Sequence, residues 1–308
     1  MTSTTVSRPS ASGTLRGLDI RVLLAFFAIY VLWGTTFLAI RIAVQEVPPL
    51  FAAGCRFFVA GVVLYGFMRV KGQAAPQMKQ WRNLALIGLL MFVAEYGPLF
   101  WAEKYVPSGV TSVLAASVPL ITIVLEMLVF RQQRFRWSLL GAALLGFGGI
   151  AILLLPSGQR NFGIFPCVAV LLGAIGWSMG SVLNRSLDLP ESRPLTSGAA
   201  MMLGGCGLLL LSAIFGEMHP LPHVSLRAAL AILYLIIFGS LLGFTAFVWL
   251  LGRMPATRVA SFAYVNPIVA VALGYFVAGE IITARMLIGA AILIVSVFLI
   301  LRKDKVAA

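Results

Sequence analysis

The chain is a succession of long apolar stretches parted by short polar breaks. Ten stretches run at about 20–44, 50–69, 83–103, 107–130, 137–155, 163–185, 196–216, 225–251, 256–278 and 285–301. About 20 apolar residues in a helix cross the hydrocarbon core of a bilayer, so each stretch predicts one transmembrane helix. The breaks are polar or carry proline: Gln45 to Pro49, Lys71 to Lys79, Arg131 to Arg136, Pro156 to Asn161, Ser186 to Pro194 and Glu217 to His223. Pro107 and Pro255 fit the first turn of a helix, where a missing N–H costs no hydrogen bond. The pattern predicts an all-α integral membrane protein of ten transmembrane helices.

The stretches are written twice. Trp101 matches Trp249, Pro107 matches Pro255, Pro119 matches Pro267 and Gly141 matches Gly289, each pair 148 residues apart. Five spans per half is odd, so the second copy must sit upside down relative to the first. The predicted organisation is a tail at 1–18, a five-helix repeat at 19–156, a second at 163–302 forming one structural unit with it, and a tail at 303–308. Inverted-topology repeats are an architecture of transporters that work by alternating access. With the N-terminus inside, 17 of the 23 Lys and Arg fall on the cytoplasmic side and 6 on the other. The positive-inside rule then places both termini in the cytoplasm. The bias also flips between matched loops. The loop after span two carries four basic residues and its counterpart after span seven only Arg227, while the loop after span six carries Arg185 and Arg193 where the one after span one carries none.

Composition agrees and excludes some functions. The chain is 60% hydrophobic and 11% charged, with a mean hydropathy of +1.00, whereas a soluble domain carries about 25% charged residues. The tail at 1–18 is rich in Ser and Thr, reads as disordered, and is no signal peptide, because the apolar run after it is too long. A net charge of +13 could suggest nucleic acid, but the basic residues lie at span ends and form no patch, so no nucleic-acid partner is expected. Cys55, Cys167 and Cys206 are scattered over three spans and imply neither a disulfide framework nor a metal site. His219 and His223 flank two prolines in a loop without a surrounding ligand set, and no metal is expected there.

Two segments carry a resemblance. LWGTTFLAIRIAVQEVPPLFAAGCRFFVAG, from Leu32 to Gly61, resembles the opening helix pair of the drug/metabolite transporter superfamily, EamA-like branch. FGSLLGFTAFVWLLGRMPATRVASFAYVNPIVAVALGYFVAGE, from Phe238 to Glu280, is similar to the matching signature of its second repeat. The resemblance implies two EamA-like repeats of five helices, no bound cofactor, and transport of small organic solutes. Within the branch the chain looks most like aromatic amino-acid exporters of the YddG kind. It departs from the pattern at Arg131-Gln132, where the second repeat keeps Gly279-Glu280, the usual form.

Candidate binding residues follow from depth and pairing. Pro119 and Pro267 lie at matched positions inside spans four and nine. A mid-helix proline frees a carbonyl that protein or cavity water must satisfy, so these prolines predict kinks lining a cavity. Trp33, Tyr96, Trp177, Phe244 and Tyr264 lie at depth in both repeats, and Trp101 and Asn266 complete the candidate substrate-binding set. Ordinary helix packing would use the same aromatics. Glu95 is read as the one carboxylate deep in a span, open to three uses: binding a substrate amine, carrying a coupling proton, or bonding a neighbouring helix. Glu126 is expected to reach Arg131 or the headgroups. Arg41 and Arg56 could attract a carboxylate; pairing with Glu46 or snorkelling to headgroups is the commoner use. Asn266, Thr111, Thr122, Thr245 and Ser261 could donate to a solute or to neighbouring helices. Gly176–Gly180 and Gly239–Gly243 predict tight packing within a monomer, and the chain is expected to work as one.

These readings converge on a secondary transporter that exports small neutral, aromatic amino acids across the inner or plasma membrane, with the lipid bilayer and a small molecule as its partners. A transporter of another metabolite or xenobiotic in the same fold stays open. An intramembrane enzyme would need a nucleophile with its base, paired carboxylates or a metal set, and the spans hold no His or Asp. Nothing resembles a selectivity filter.

Overall fold

The computed structural model describes residues 19–132, 134–155, 163–218, 224–251, 253, 259 and 261–304. Every regular element among them is helical. Ten helices follow the predicted stretches: α1 Ile20–Val44, α2 Pro49–Val70, α3 Met78–Glu103, α4 Ser108–Val129, α5 Trp137–Leu154, α6 Ile164–Leu183, α7 Arg193–Ile214, α8 Leu226–Leu250, α9 Phe262–Ala278 and α10 Ala284–Asp304. The first eight are long and apolar enough to cross a membrane, while α9 and the apolar part of α10 are shorter. Their outward faces are apolar too, as at Phe58, Val62, Leu172 and Phe276, which suits a protein solvated by lipid. Pro255, His219 and His223 lie outside the described residues.

Local chemistry sets the ends. Pro49 opens α2 at a position where its missing N–H is harmless. Gln77 and Gln80 form a reciprocal capping box on α3. Ser225 caps α8 by accepting from the Ala228 N–H at 3.2 Å. Gly279 closes α9 in the left-handed conformation, with φ 65°, while the Glu280 N–H reaches back to the Gly274 carbonyl at 2.9 Å. Wide π-type turns interrupt α1, α3 and α8 and form the last turn of α4. Those of α3, Leu89–Val93, and α8, Leu235–Leu242, fall at matching places in the two repeats.

The repeat is visible in the packing. Helix α2 lies against its counterpart α7, and α5 against α10, each pair antiparallel. Gly54 of α2 abuts Leu209 of α7, Gly205 abuts Phe58, and Gly198 abuts Tyr65, so one index rises as the other falls. Gly149 of α5 and Gly289 of α10 make a reciprocal contact, each placed so that an added Cβ would meet the other's carbonyl oxygen at 2.8 Å. Small residues permit this approach where apolar lipid offers no hydrophobic drive to pair helices. The Ser296 hydroxyl adds a hydrogen bond to the Ala142 carbonyl across the same seam at 2.5 Å. The two packing cores do not follow the sequence halves. One joins residues of α1, α2, α3, α7 and α8 with Trp177 of α6; the other joins α4, α5, α9 and α10 with the first turns of α6 and Ala102 of α3.

Candidate functional site

Both repeats contribute to a cavity of about 80 Å³ in the interior, lined from α1, α2, α3 and α4 of the first and α6 and α9 of the second. At roughly 10–15 Å³ for each water it has room for about half a dozen waters or a small organic group. Trp33, Tyr96 and Trp177 wall it, and Ala115, Ala116 and Ala263 keep it open. Trp33 meets Phe262 edge-on at 5.1 Å between ring centroids, and Tyr96 meets Trp177 the same way at 6.1 Å. Phe244 lies behind this wall, 5.4 Å from Trp33 and 6.1 Å from Trp177. It packs the aromatics without lining the cavity.

The neighbouring helix α8 is built to hold Trp33. The indole N–H donates to the Gly239 carbonyl at 3.0 Å, and a Cβ at Gly243 would overlap the indole ring. The Gly239–Gly243 pair is thus a slot for a tryptophan inside one chain. Gly176 and Gly180 serve α6 likewise against Leu90, Met91 and Ala94 of α3.

The prolines sit where α4 and α9 border the cavity. The helix of α4 stops at Ala115 and resumes at Val118. The Ser178 hydroxyl of α6 donates to the Val118 carbonyl at this break, at 3.2 Å. Pro267 lies inside the continuous helix α9. Beside it the Asn266 amide, oriented by its neighbours, donates to the Tyr30 and Ile29 carbonyls at 2.9 and 3.0 Å. Those carbonyls belong to the π-type turn of α1, so the donors of Asn266 are already engaged. Pro98 is a third interior proline, in α3, which the matched landmarks do not single out.

Two charged side chains face this space. The sequence left Arg56 able to attract a carboxylate, with Glu46 or the headgroups as its commoner use, and the structure departs from that commoner use. Arg56 is 1% exposed, it lines the cavity, and its Nε donates to the Ser240 hydroxyl at 3.0 Å. Its guanidinium lies over the rings of Phe57 at 4.6 Å and Tyr96 at 5.2 Å. The absent side chain of Gly239 leaves space for Nη2. Glu95 is buried on the cavity wall, its carboxylate against Gly173 of α6. Neither Nη1 of Arg56 nor Oε2 of Glu95 has a hydrogen-bond partner.

Tyr264 and Trp101 do not line the cavity. Tyr264 donates from its hydroxyl to the Val297 carbonyl of α10 at 3.2 Å, and Trp101 is exposed and stacks edge-on with Tyr105 at 5.4 Å. Glu95 is also not the only deep carboxylate: Glu103 at the end of α3 is fully buried.

The bundle's two ends are held differently. At the end away from the chain termini, Arg41 donates to the backbone carbonyls of Glu103 at 2.6 Å and Val106 at 2.8 Å. It pairs with Glu280 at 3.6 Å, not with Glu46, which accepts from the Ser225 N–H. The Glu280 carboxylate in turn accepts from the N–H groups of Ser108 at 2.7 Å and Gly109 at 3.1 Å, capping α4. At the terminal end Glu126 pairs with Arg185 at 2.9 Å, where the sequence suggested Arg131, and Lys79 pairs with Asp188 at 3.6 Å. Among the described residues no three His, Cys, Asp or Glu side chains could hold a metal ion together.

Comparison with known proteins places this geometry. A solved crystal structure superposes with a TM-score of 0.61 over 92% of this chain and 96% of its own at 19% identity, a likeness of fold. The inner membrane transporter YedA of Escherichia coli K12, itself uncharacterized, is 36% identical over 90% of this chain and 89% of its own. A probable amino-acid metabolite efflux pump of Salmonella typhimurium is 25% identical over 88% of this chain and 91% of its own. The profile of the EamA-like transporter family matches twice, at residues 20–155 and 164–302, once on each half of the antiparallel pairing. A cavity between two inverted halves of a membrane bundle is the interior of a transporter, and the chain belongs to the EamA-like transporter family.

Proposed function

We propose that this protein exports small neutral, aromatic amino acids across the inner membrane by alternating access through the central cavity, as a monomer with both termini in the cytoplasm. The observation that carries the reading is the cavity itself: Trp33 and Tyr96 of the first repeat and Trp177 of the second wall a small interior space beside Pro119 and Pro267. Such a site suits a solute with a flat apolar side chain. Two relatives named as probable amino-acid metabolite efflux pumps and one named as an inner membrane transporter support the solute class and the membrane.

Counterflow in liposomes tests it, with purified protein and a panel of labelled amino acids, nucleobases and sugars. Accelerated exchange is expected for aromatic amino acids above the rest. Trp177→Ala should reorder the amino-acid ranking without abolishing exchange. Exchange confined to solutes other than amino acids would overturn the reading and leave a family transporter of another metabolite.

A further inference from the structure

The cavity is lined by a basic and an acidic side chain from different helices, and each has an idle atom. Arg56 comes from α2 and is braced by Ser240; Glu95 comes from α3 and rests on Gly173. Both are more than nine-tenths buried. Nη1 of one and Oε2 of the other lack a hydrogen-bond partner, so these atoms do not satisfy each other. Leaving two buried polar groups without hydrogen bonds costs free energy, and a ligand that supplies both partners recovers it. Tyr96, adjacent to Glu95 in sequence, lies under the Arg56 guanidinium and is also a wall of the cavity. A side chain lying against Tyr96, Trp33 and Trp177 would therefore have an anion acceptor and a cation acceptor on the walls around it.

We propose that Arg56 and Glu95 are the two ends of a clamp for a free α-amino acid in its zwitterionic form. The guanidinium Nη1 takes the carboxylate and the Glu95 carboxylate takes the ammonium. The clamp rests on the reading of the cavity as the transport site and adds its selectivity rule. A zwitterion satisfies both idle groups at once. An amine or an acid of the same side chain satisfies one and leaves the other buried and unpaired, which is rejection by an unmet partner and not by shape.

The test is equilibrium binding by calorimetry to the purified full-length protein in detergent, with phenylalanine, phenethylamine and 3-phenylpropanoate. The wild type should bind phenylalanine at least tenfold more tightly than either analogue. Arg56→Gln should weaken phenylalanine tenfold or more and leave phenethylamine within twofold; Glu95→Gln should do the same to phenylalanine and leave 3-phenylpropanoate within twofold. The contrast between ligands in one preparation cancels any loss of folded protein. If Arg56→Gln gives no monodisperse sample, Ser240→Ala frees the guanidinium without removing it and should weaken phenylalanine about threefold, again sparing phenethylamine. Equal wild-type affinity for all three ligands, or variants that weaken all three alike, overturns the clamp, and intact phenylalanine counterflow then leaves the transport reading standing. Absence of both phenylalanine binding and amino-acid counterflow overturns both.

Discussion

Gly279-Glu280 and Arg131-Gln132 stand at matching places in the two repeats, at the ends of α9 and α4, and the backbone treats them alike. Gly279 has φ 65° and Arg131 has φ 52°, the one non-glycine residue with positive φ among those described. The left-handed turn is thus kept in both copies, although an arginine there bears a steric cost that glycine escapes. The side chains differ completely in what they do. Glu280 caps α4 and pairs with Arg41 in a half-hidden cluster, whereas Gln132 is exposed. The charged contacts at its end, Lys79–Asp188 and Arg185–Glu126, each place one long side chain in the open. A pseudo-symmetric transporter must still tell its two faces apart. Here the symmetry lies in the backbone and the distinction in side chains.

The sharpest way to break the comparison is to ask which end is which. In a cysteine-free background, a cysteine replacing Lys104, exposed beside the Glu280 cluster, should react fully with an impermeant thiol reagent outside intact cells. One replacing Gln77, exposed at the terminal end, should not react; the reverse pattern would invert the topology proposed above. Next in size, Glu280→Ala removes two charge-assisted bonds to a helix N-terminus and leaves Arg41 without its carboxylate. It should cost about 2–3 kcal/mol, read as a lower unfolding midpoint in detergent, while Gln132→Ala should stay within about 0.5 kcal/mol. If the two variants lose equally, the clasp contributes nothing.

Swapping the turn residues probes the shared backbone. Gly279→Ala should destabilise by about 1 kcal/mol, and Arg131→Gly should stabilise by about 0.5–1 kcal/mol because the relief of strain exceeds the entropy that glycine adds to the unfolded chain. A loss of stability in Arg131→Gly would show that the arginine side chain earns its place. Smallest of all, Lys79→Ala should shift the unfolding midpoint by less than about 0.5 kcal/mol, since its pair with Asp188 is open to solvent.

The spans and the repeat were legible in the sequence for a simple reason. A bilayer demands length and apolarity from every helix, and duplication leaves its prolines and tryptophans in register. Which way a residue turns was not legible. Tyr264 and Asn266 stand two residues apart on an apolar helix, yet one faces α10 and the other α1 and the cavity. When a helix is apolar all round, periodicity carries no rotation. For Arg56 the commoner use misled for a related reason. Nearness to a span end suggests headgroups, while what retains it inside is Ser240, 184 positions away. Glu103 sits at a span end as well, and only the packed bundle shows that no water reaches it. The Gly279-Glu280 signature was readable as a departure between repeats, but its partners, Arg41 and the first turn of α4, were not.

The reciprocal contact of Gly149 and Gly289 has a bearing on the ancestry of the chain. Helices α5 and α10 are counterparts in the two repeats and pack on each other antiparallel, as equivalent elements do across the two-fold axis of a homodimer. A seam of that kind does not require its halves to be joined or to differ. Two separate copies of a single five-helix unit, inserted head to foot, would bring the same two helices together. Fusion into one polypeptide would then fix a one-to-one ratio of the two orientations, and only afterwards could a position such as 132 drift away from its twin at 280.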